Sequence, residues 1–408
     1  MNQEHIVIVG AGQAAASLAI RLRNKGYSGD LTIFGDEPHL PYQRPPLSKG
    51  YLKREWSIDR LYIRPAKFWT DHGVRVVTDA PVTAIDPIQR TLEARGRTVT
   101  WSKLALATGT SPRPLPAGFA GLKGVHELRS IADADRLQNE IHPGRRLLVL
   151  GGGYVGLETA AVAVKAGMSV VVVERARRIL ERVACPQTSA IIRALHEGHG
   201  VRILEGSAVT NVAARDGAIT GVELDDGRSL QVDVAIVGIG VLPRDELART
   251  AGITCDDGIV VDRFGRTSAV GVWAAGDCAV FPLDGVPCRL ESVQHAVDHA
   301  ECAADDMLGH PRAYTPVPWF WSDQYDVKLQ IVGLNRGYDA VVPHRSERGE
   351  SLWYFRRGDM IAVDAINDAR TYMAAKKMLE GGINVSLAEV SKEGFDPAGR
   401  TRHSVPLA

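Results

Sequence analysis

The chain of 408 residues is too long for one hydrophobic core, and a domain size on the order of 100 to 200 residues divides it into two or three. Hydrophobic residues make up 45% and charged residues 24%, which excludes disordered and collagen-like classes. Lysine plus arginine and aspartate plus glutamate number 48 each, so no global field recruits nucleic acid or an anionic membrane, and any electrostatic partner must use a local patch.

Five scattered cysteines (Cys185, Cys255, Cys278, Cys288 and Cys302) contain no C-x-x-C, which argues against a disulfide framework and a zinc site. The opening "MNQEHIVIVGAG" has no basic and then apolar leader, and Lys165 and Gly167 interrupt the longest apolar stretch below the roughly 18 residues that span a bilayer. A cytoplasmic protein without a metal is expected.

In chain order, "IVIVGAGQAAASLAIRL" is a β-branched strand, then Gly10-x-Gly12-x-x-Ala15, then an Ala/Leu-rich helix. Gly10 permits the tight turn, Gly12 lets the backbone approach a pyrophosphate and the small Ala15 lets helix pack on strand, while the helix N-terminus offers free N–H groups to phosphate. The strand "LTIFGDE" then sets Asp36 where an acidic side chain can hold a ribose hydroxyl. Residues 42–68 carry seven basic side chains (Arg44, Lys49, Lys53, Arg54, Arg60, Arg64, Lys67) against Glu55 and Asp59, a positive patch expected to steer an acidic partner, with a solvated face as the alternative. "KLALATGTSPR" (103–113) is a buried strand that breaks at Thr108-Gly109.

The fingerprint then recurs. "RLLVLGGGYVGLETAAVAVKAGMSVVVVE" gives Gly151-x-Gly153-x-x-Gly156, and Glu174 closes the next strand. Two complete units imply two dinucleotides. Glu174 favours the free 2′-hydroxyl of NADH, whereas Arg175, Arg177 and Arg178 keep the 2′-phosphate of NADPH as the alternative. "VGVWAAGDC" (270–278) is a strand ending in Gly276-Asp277. "PWFWSDQ" (318–324), if extended, puts Trp319 and Trp321 on one face and Phe320 on the other. Strand-like "VKLQIVGL" and "SLWYFRRGDMIAVDAI" follow, the latter turning at Arg357-Gly358-Asp359, and a helix ends at Gly381-Gly382.

The doubled unit with a late "GD" resembles the flavoprotein reductases similar to glutathione reductase. The stretch "PYQRPPLSKGYL" (41–52) contains no cysteine, so the redox-active disulfide of one branch of that superfamily is missing. "RPPLSK", "GGGYVGLE", "VGIGVLPR" (237–244), "RLESVQHA" (289–296) and "WFWSDQYDVKLQIVGL" (319–334) resemble, over nearly the whole length, the FAD-linked ferredoxin reductases that supply cytochrome P450 and Rieske-type oxygenases.

That resemblance implies an α/β fold with two Rossmann-like domains and a C-terminal α+β domain. FAD would belong to 1–113 with 246–319, NAD(P)H to 114–245, and the last domain would be 320–408. It implies FAD contacts at Gly10, Gly12, Ala14, Ala15, Asp36, Arg44, Lys49, Val82, Thr108, Gly109, Arg129, Asp277 and Val293. An exposed salt bridge would explain Arg129, and a strand core Val82, equally well. NADH contacts would fall at Gly151, Gly153, Gly156, Glu174, Gly238 and Gly240. Lys49 and Glu158 match an ion pair beside the flavin N5 in related enzymes, and Trp321 falls to the flavin and nicotinamide neighbourhood, Trp319 to the core. The implied reaction runs from NADH through FAD to a [2Fe-2S] ferredoxin, expected to be acidic. Rubredoxin reductase and, from another class, a DNA-binding protein of the apoptosis-inducing-factor type are the alternatives, the zero net charge opposing the second.

Overall fold

The computed structural model describes residues 4–392 and 394–402. The chain forms two compact units. The first holds the residues up to Arg44, Trp56–Ser111 and Val241–Pro316; the second holds Pro45–Glu55, Pro112–Gly240 and the residues from Val317 onward.

In the first unit the strand His5–Val9 is the third of five parallel strands, flanked by Asp30–Phe34 and Lys103–Leu106. Four of its five residues are buried, as both faces of a central parallel strand require. The helix Gln13–Asn24 covers this sheet through Ala15, Ala16, Leu18, Ala19 and Leu22, all fully buried. The helix Val293–Met307 shares that core through Ala296, Ala300 and Ala303, and Arg21 grips Asp305 at 2.7 and 2.8 Å. Small side chains on both helices allow the close approach.

The second unit repeats the pattern with Arg146–Leu150 central in another five-stranded parallel sheet and the helix Tyr154–Lys165 against it. A second five-stranded sheet of this unit is antiparallel and contains, in spatial order, Trp319–Gln324, Val327–Gly333, Asp359–Ile366, Glu350–Arg356 and Ala340–Arg345. Alternation along Glu350–Arg356 divides its load: Trp353 and Phe355 join Tyr372, Ala375 and Met378 of the helix Ala369–Glu380, while Leu352 and Tyr354 join Phe320, Tyr154 and Cys185. Arg357 and Gly358 turn the hairpin with φ of 54° and 87°, the two left-handed residues of a tight two-residue loop.

The segment 45–55, which chain order groups with the first nucleotide unit, is held by the second. Leu52 is buried in that unit's core beside Leu157 and Ile179, and the Tyr51 hydroxyl donates to Asp135 at 2.7 Å. No described helix is long and apolar enough to cross a membrane, and no cluster of three or more His, Cys, Asp or Glu suited to a metal occurs among the described residues. No two of the five cysteines are joined in a disulfide.

Candidate functional site

Both glycine-rich turns have the same local cause. Gly10 sits at φ 106°, and a Cβ there would lie 2.1 Å from the Ala107 carbonyl; Gly151 sits at φ 105°, and its Cβ would lie 2.4 Å from the Gly238 carbonyl. Only glycine accepts both the dihedral and the approach. Gly12 and Gly153 then cap helices of 12 residues without a side-chain cap, and a Cβ on either meets nothing within 4 Å. The first-turn N–H groups therefore face open space, which fits the pyrophosphate of a dinucleotide in each unit. At the third position a Cβ on Gly156 would lie 2.4 Å from the Gly151 carbonyl, whereas Ala15 carries its methyl fully buried.

In the first unit Arg244 ties three of the expected residues together. Its guanidinium donates to Asp36 at 2.7 Å, its carbonyl accepts the Thr108 hydroxyl at 2.5 Å, and its amide donates to the Gly109 carbonyl at 3.0 Å. Burial pushes the Asp36 carboxyl up, but the hydrogen bond and charge of Arg244 outweigh it and leave the group below the usual carboxylate range. Arg44 pairs with Glu37 at 2.7 Å and lies over the Tyr42 ring. Gly276 abuts Ala14, which sets Asp277 beside the first turn of the helix Gln13–Asn24; Val293 begins the helix that packs on it. Val82 starts the separate strand Val82–Asp86.

In the second unit Glu174 accepts the Gly152 and Ala176 amides, each at 2.7 Å, so both of its oxygens are fixed at the turn. Arg178 is directed away, to Ser189 and the Glu181 carbonyl, while Arg175 and Arg177 are exposed. Gly238 and Gly240 lie past the strand Val234–Val237, with Gly238 against the Gly151 turn. Arg129 precedes the helix Ile131–Gln138, its amide bonded to Asp133.

Glu158, 4% exposed, accepts three side-chain hydrogen bonds. Lys49 Nζ donates to its Oε2 at 2.6 Å and Ser48 Oγ to the same oxygen at 2.5 Å, while Ser322 Oγ donates to Oε1 at 2.6 Å. A buried carboxylate is costly unless paired and fully hydrogen-bonded, and here both oxygens are served. Strand alternation supplies the third donor: Phe320 packs at a tilt against Tyr154, ring centroids 4.6 Å apart, Ser322 reaches Glu158, and Gln324 reaches His196 at 2.7 Å, all from one face. The opposite face carries Trp319 and Trp321, 5.7 Å apart, with Trp319 against Tyr372 and beneath Lys376. Arg244, Ser48 and Ser322 lie inside the stretches "VGIGVLPR", "RPPLSK" and "WFWSDQ", where nothing in the sequence distinguishes them from their neighbours except, for Ser322, the period-two pattern of its strand.

Residues 4–300 match the family described as pyridine nucleotide-disulphide oxidoreductase, and residues 319–398 match the reductase C-terminal family. Rhodocoxin reductase of Rhodococcus erythropolis is 40% identical over 96% of this chain and 93% of its own length. Putidaredoxin reductase of Pseudomonas putida is 36% identical over 92% of each chain. The crystal structure of the ferredoxin reductase for the CYP199A2 system from Rhodopseudomonas palustris superposes with a TM-score of 0.95 at 38% identity, covering 98% of this chain and 100% of that one. Putidaredoxin reductase in its covalent complex with putidaredoxin follows at 0.94 and 34% identity, covering 98% of each.

Proposed function

The chain belongs to the pyridine nucleotide-disulphide oxidoreductase family as one of its flavoprotein ferredoxin reductases of oxygenase systems, which use FAD and NAD(P)H, and on that premise we propose that its donor is NADH and its acceptor an acidic [2Fe-2S] ferredoxin in the cytoplasm. The observation that carries the choice of NADH is the anchoring of Glu174 on the Gly152 and Ala176 amides. A carboxylate so held accepts a ribose 2′-hydroxyl and repels a 2′-phosphate, and Arg178 is engaged elsewhere.

In this reading FAD is held by Gly10, Gly12, Ala14, Ala15, Asp36, Arg44, Lys49, Val82, Thr108, Gly109, Arg129, Asp277 and Val293, with Trp321 at the rings, and NADH by Gly151, Gly153, Gly156, Glu174, Gly238 and Gly240. The bound flavin supplies the conversion of a two-electron hydride donor into single electrons for an iron–sulfur protein. The chain supplies orientation: the two glycine-capped helices hold the phosphates, and Lys49, kept in place by Glu158, acts on hydride transfer without any side-chain nucleophile. The cysteine-free stretch 41–52 and the burial of Cys185 beneath Tyr354 support a route without a thiol relay.

The test is the visible spectrum of the purified protein followed by titration with NADH and NADPH, then turnover with a panel of [2Fe-2S] ferredoxins. FAD absorbance bleached by NADH at lower concentration than by NADPH, with transfer to acidic ferredoxins, is expected. Preference for NADPH, or for basic acceptors, would overturn the finer assignment.

A further inference from the structure

Lys49 supplies only one of the three donors to the Glu158 carboxylate, and the third comes from the first strand of the C-terminal sheet. Ser322 has no exposed surface. Its lone pair accepts Gln324 Nε2–H at 3.1 Å, which leaves its single hydrogen for Glu158. Gln324 is itself fixed, because its Oε1 lies 2.7 Å from His196 Nε2 and must take a proton from it; Tyr325 Oη meets the other ring nitrogen at 3.2 Å. The donors thus run in one direction, from Tyr325 through His196, Gln324 and Ser322 to Glu158.

The sheet does not need this hydroxyl. Ser322 is already registered opposite Leu329 by the backbone ladder, and its neighbour Phe320 is packed on Tyr154. What the hydroxyl does is fix the rotation of the Glu158 carboxylate, so that Oε2 remains aimed at Lys49.

We propose that Ser322, locked by Gln324 and His196, is a positioning residue for the Lys49–Glu158 pair, so that the C-terminal sheet sets the rate at which the nicotinamide reduces the flavin. This rests on the role assigned above to that pair.

The experiment is stopped-flow reduction of FAD-loaded enzyme by NADH in the parent, Ser322→Ala, Ser322→Thr, Lys49→Met and the Lys49→Met/Ser322→Ala double variant. Ser322→Ala should lower the limiting rate about tenfold, the scale of one lost hydrogen bond to a charged group, while the NADH concentration for half the limiting rate stays within about twofold. Threonine, which keeps the hydroxyl, should restore most of the rate. The double variant should be no slower than Lys49→Met alone, because both act through one group. A Ser322→Ala rate equal to the parent beside a slow Lys49→Met, or additive losses in the double variant, would overturn the role of Ser322 and leave the pair standing. An unaffected Lys49→Met would overturn the pair and the inference with it.

Discussion

Glu174 Oε2 accepts the Gly152 amide at 2.7 Å, so the acidic residue that closes one strand is bonded to the glycine turn that follows another. Replacement by alanine removes the hydroxyl acceptor and also releases two backbone amides. Glu174→Ala should lower kcat/KM for NADH on the order of 10- to 100-fold, with NADPH changed about threefold or less. Steady-state kinetics with both nucleotides checks this; an unchanged preference would transfer the discrimination to the exposed Arg175 and Arg177.

Lys49→Met keeps the length of the side chain and deletes its charge. Nothing then neutralises Glu158 at the 2.6 Å contact, although both serine hydroxyls remain. Flavin reduction at saturating NADH, counted per bound FAD, should slow about 10- to 100-fold, while the untouched glycine turns still bind both dinucleotides. Parent-like reduction kinetics would reduce Lys49 to a structural contact.

The fold was legible where one residue type alone satisfies the geometry. Gly10 and Gly151 each combine a left-handed φ with a neighbouring carbonyl inside Cβ range, so their spacing could be read twice along the chain. Asp36 shows the limit of that reading. It holds the position in the first unit that Glu174 holds in the second, yet Arg244 draws it into an ion pair, a partner 208 residues away that no local pattern announces. The Lys49–Glu158 pair came from family resemblance, since its members lie 109 residues apart. Ser48 and Ser322 do not stand out within their motifs, because a buried hydroxyl is ordinary in sequence and becomes specific only when a carboxylate folds against it. Likewise 45–55 joins the second unit through Leu52 and Tyr51, anchors that look in the sequence like any apolar residues.

Acid stability should depend on a buried histidine pair outside both nucleotide turns. His295 and His299, one turn apart on the helix Val293–Met307, are buried with Phe281 and Tyr314, and the His299 ring stacks on Tyr314 at 4.7 Å. Burial lowers His295 to about 4 and holds His299 well below the ordinary imidazole value. Both folded-state values lie below the unfolded value of about 6.5, so stability is intact above about pH 6.5 and is lost as pH falls through the folded values, the unfolded chain binding more protons. His299→Phe removes one of these protonations and fills the same aromatic stack. Its thermal midpoint should match the parent near neutral pH and exceed it by a few degrees at about pH 5. Parallel midpoints from neutral to acid pH would show that His299 contributes nothing to acid lability.

The positive patch of residues 42–68 is smaller than its composition implies. Arg44 is paired with Glu37, Lys49 with Glu158 and Lys67 with Asp71, so those three charges are balanced within the protein. Lys53, Arg54, Arg60 and Arg64 remain exposed; the first two sit side by side on the segment that also carries Lys49, and the Arg54 guanidinium reaches the Gln138 carbonyl and Asn139 at 3.4 Å each. Exposed charges of this kind contribute little to stability but act at a distance on an approaching partner of opposite sign. Steering works on association and is screened by salt, so reversal of Lys53 and Arg54 to glutamate should raise KM for an acidic ferredoxin several-fold, leave the rate at saturation nearly unchanged and flatten the salt dependence. Arg54 already occupies a left-handed conformation, φ 61°, so glutamate adds no backbone strain there. Reduction of ferricyanide by NADH, which needs no docking, should change by less than about twofold. Equal losses with both acceptors would place the defect in flavin reduction, and an unchanged ferredoxin KM would move the docking surface away from Lys53 and Arg54.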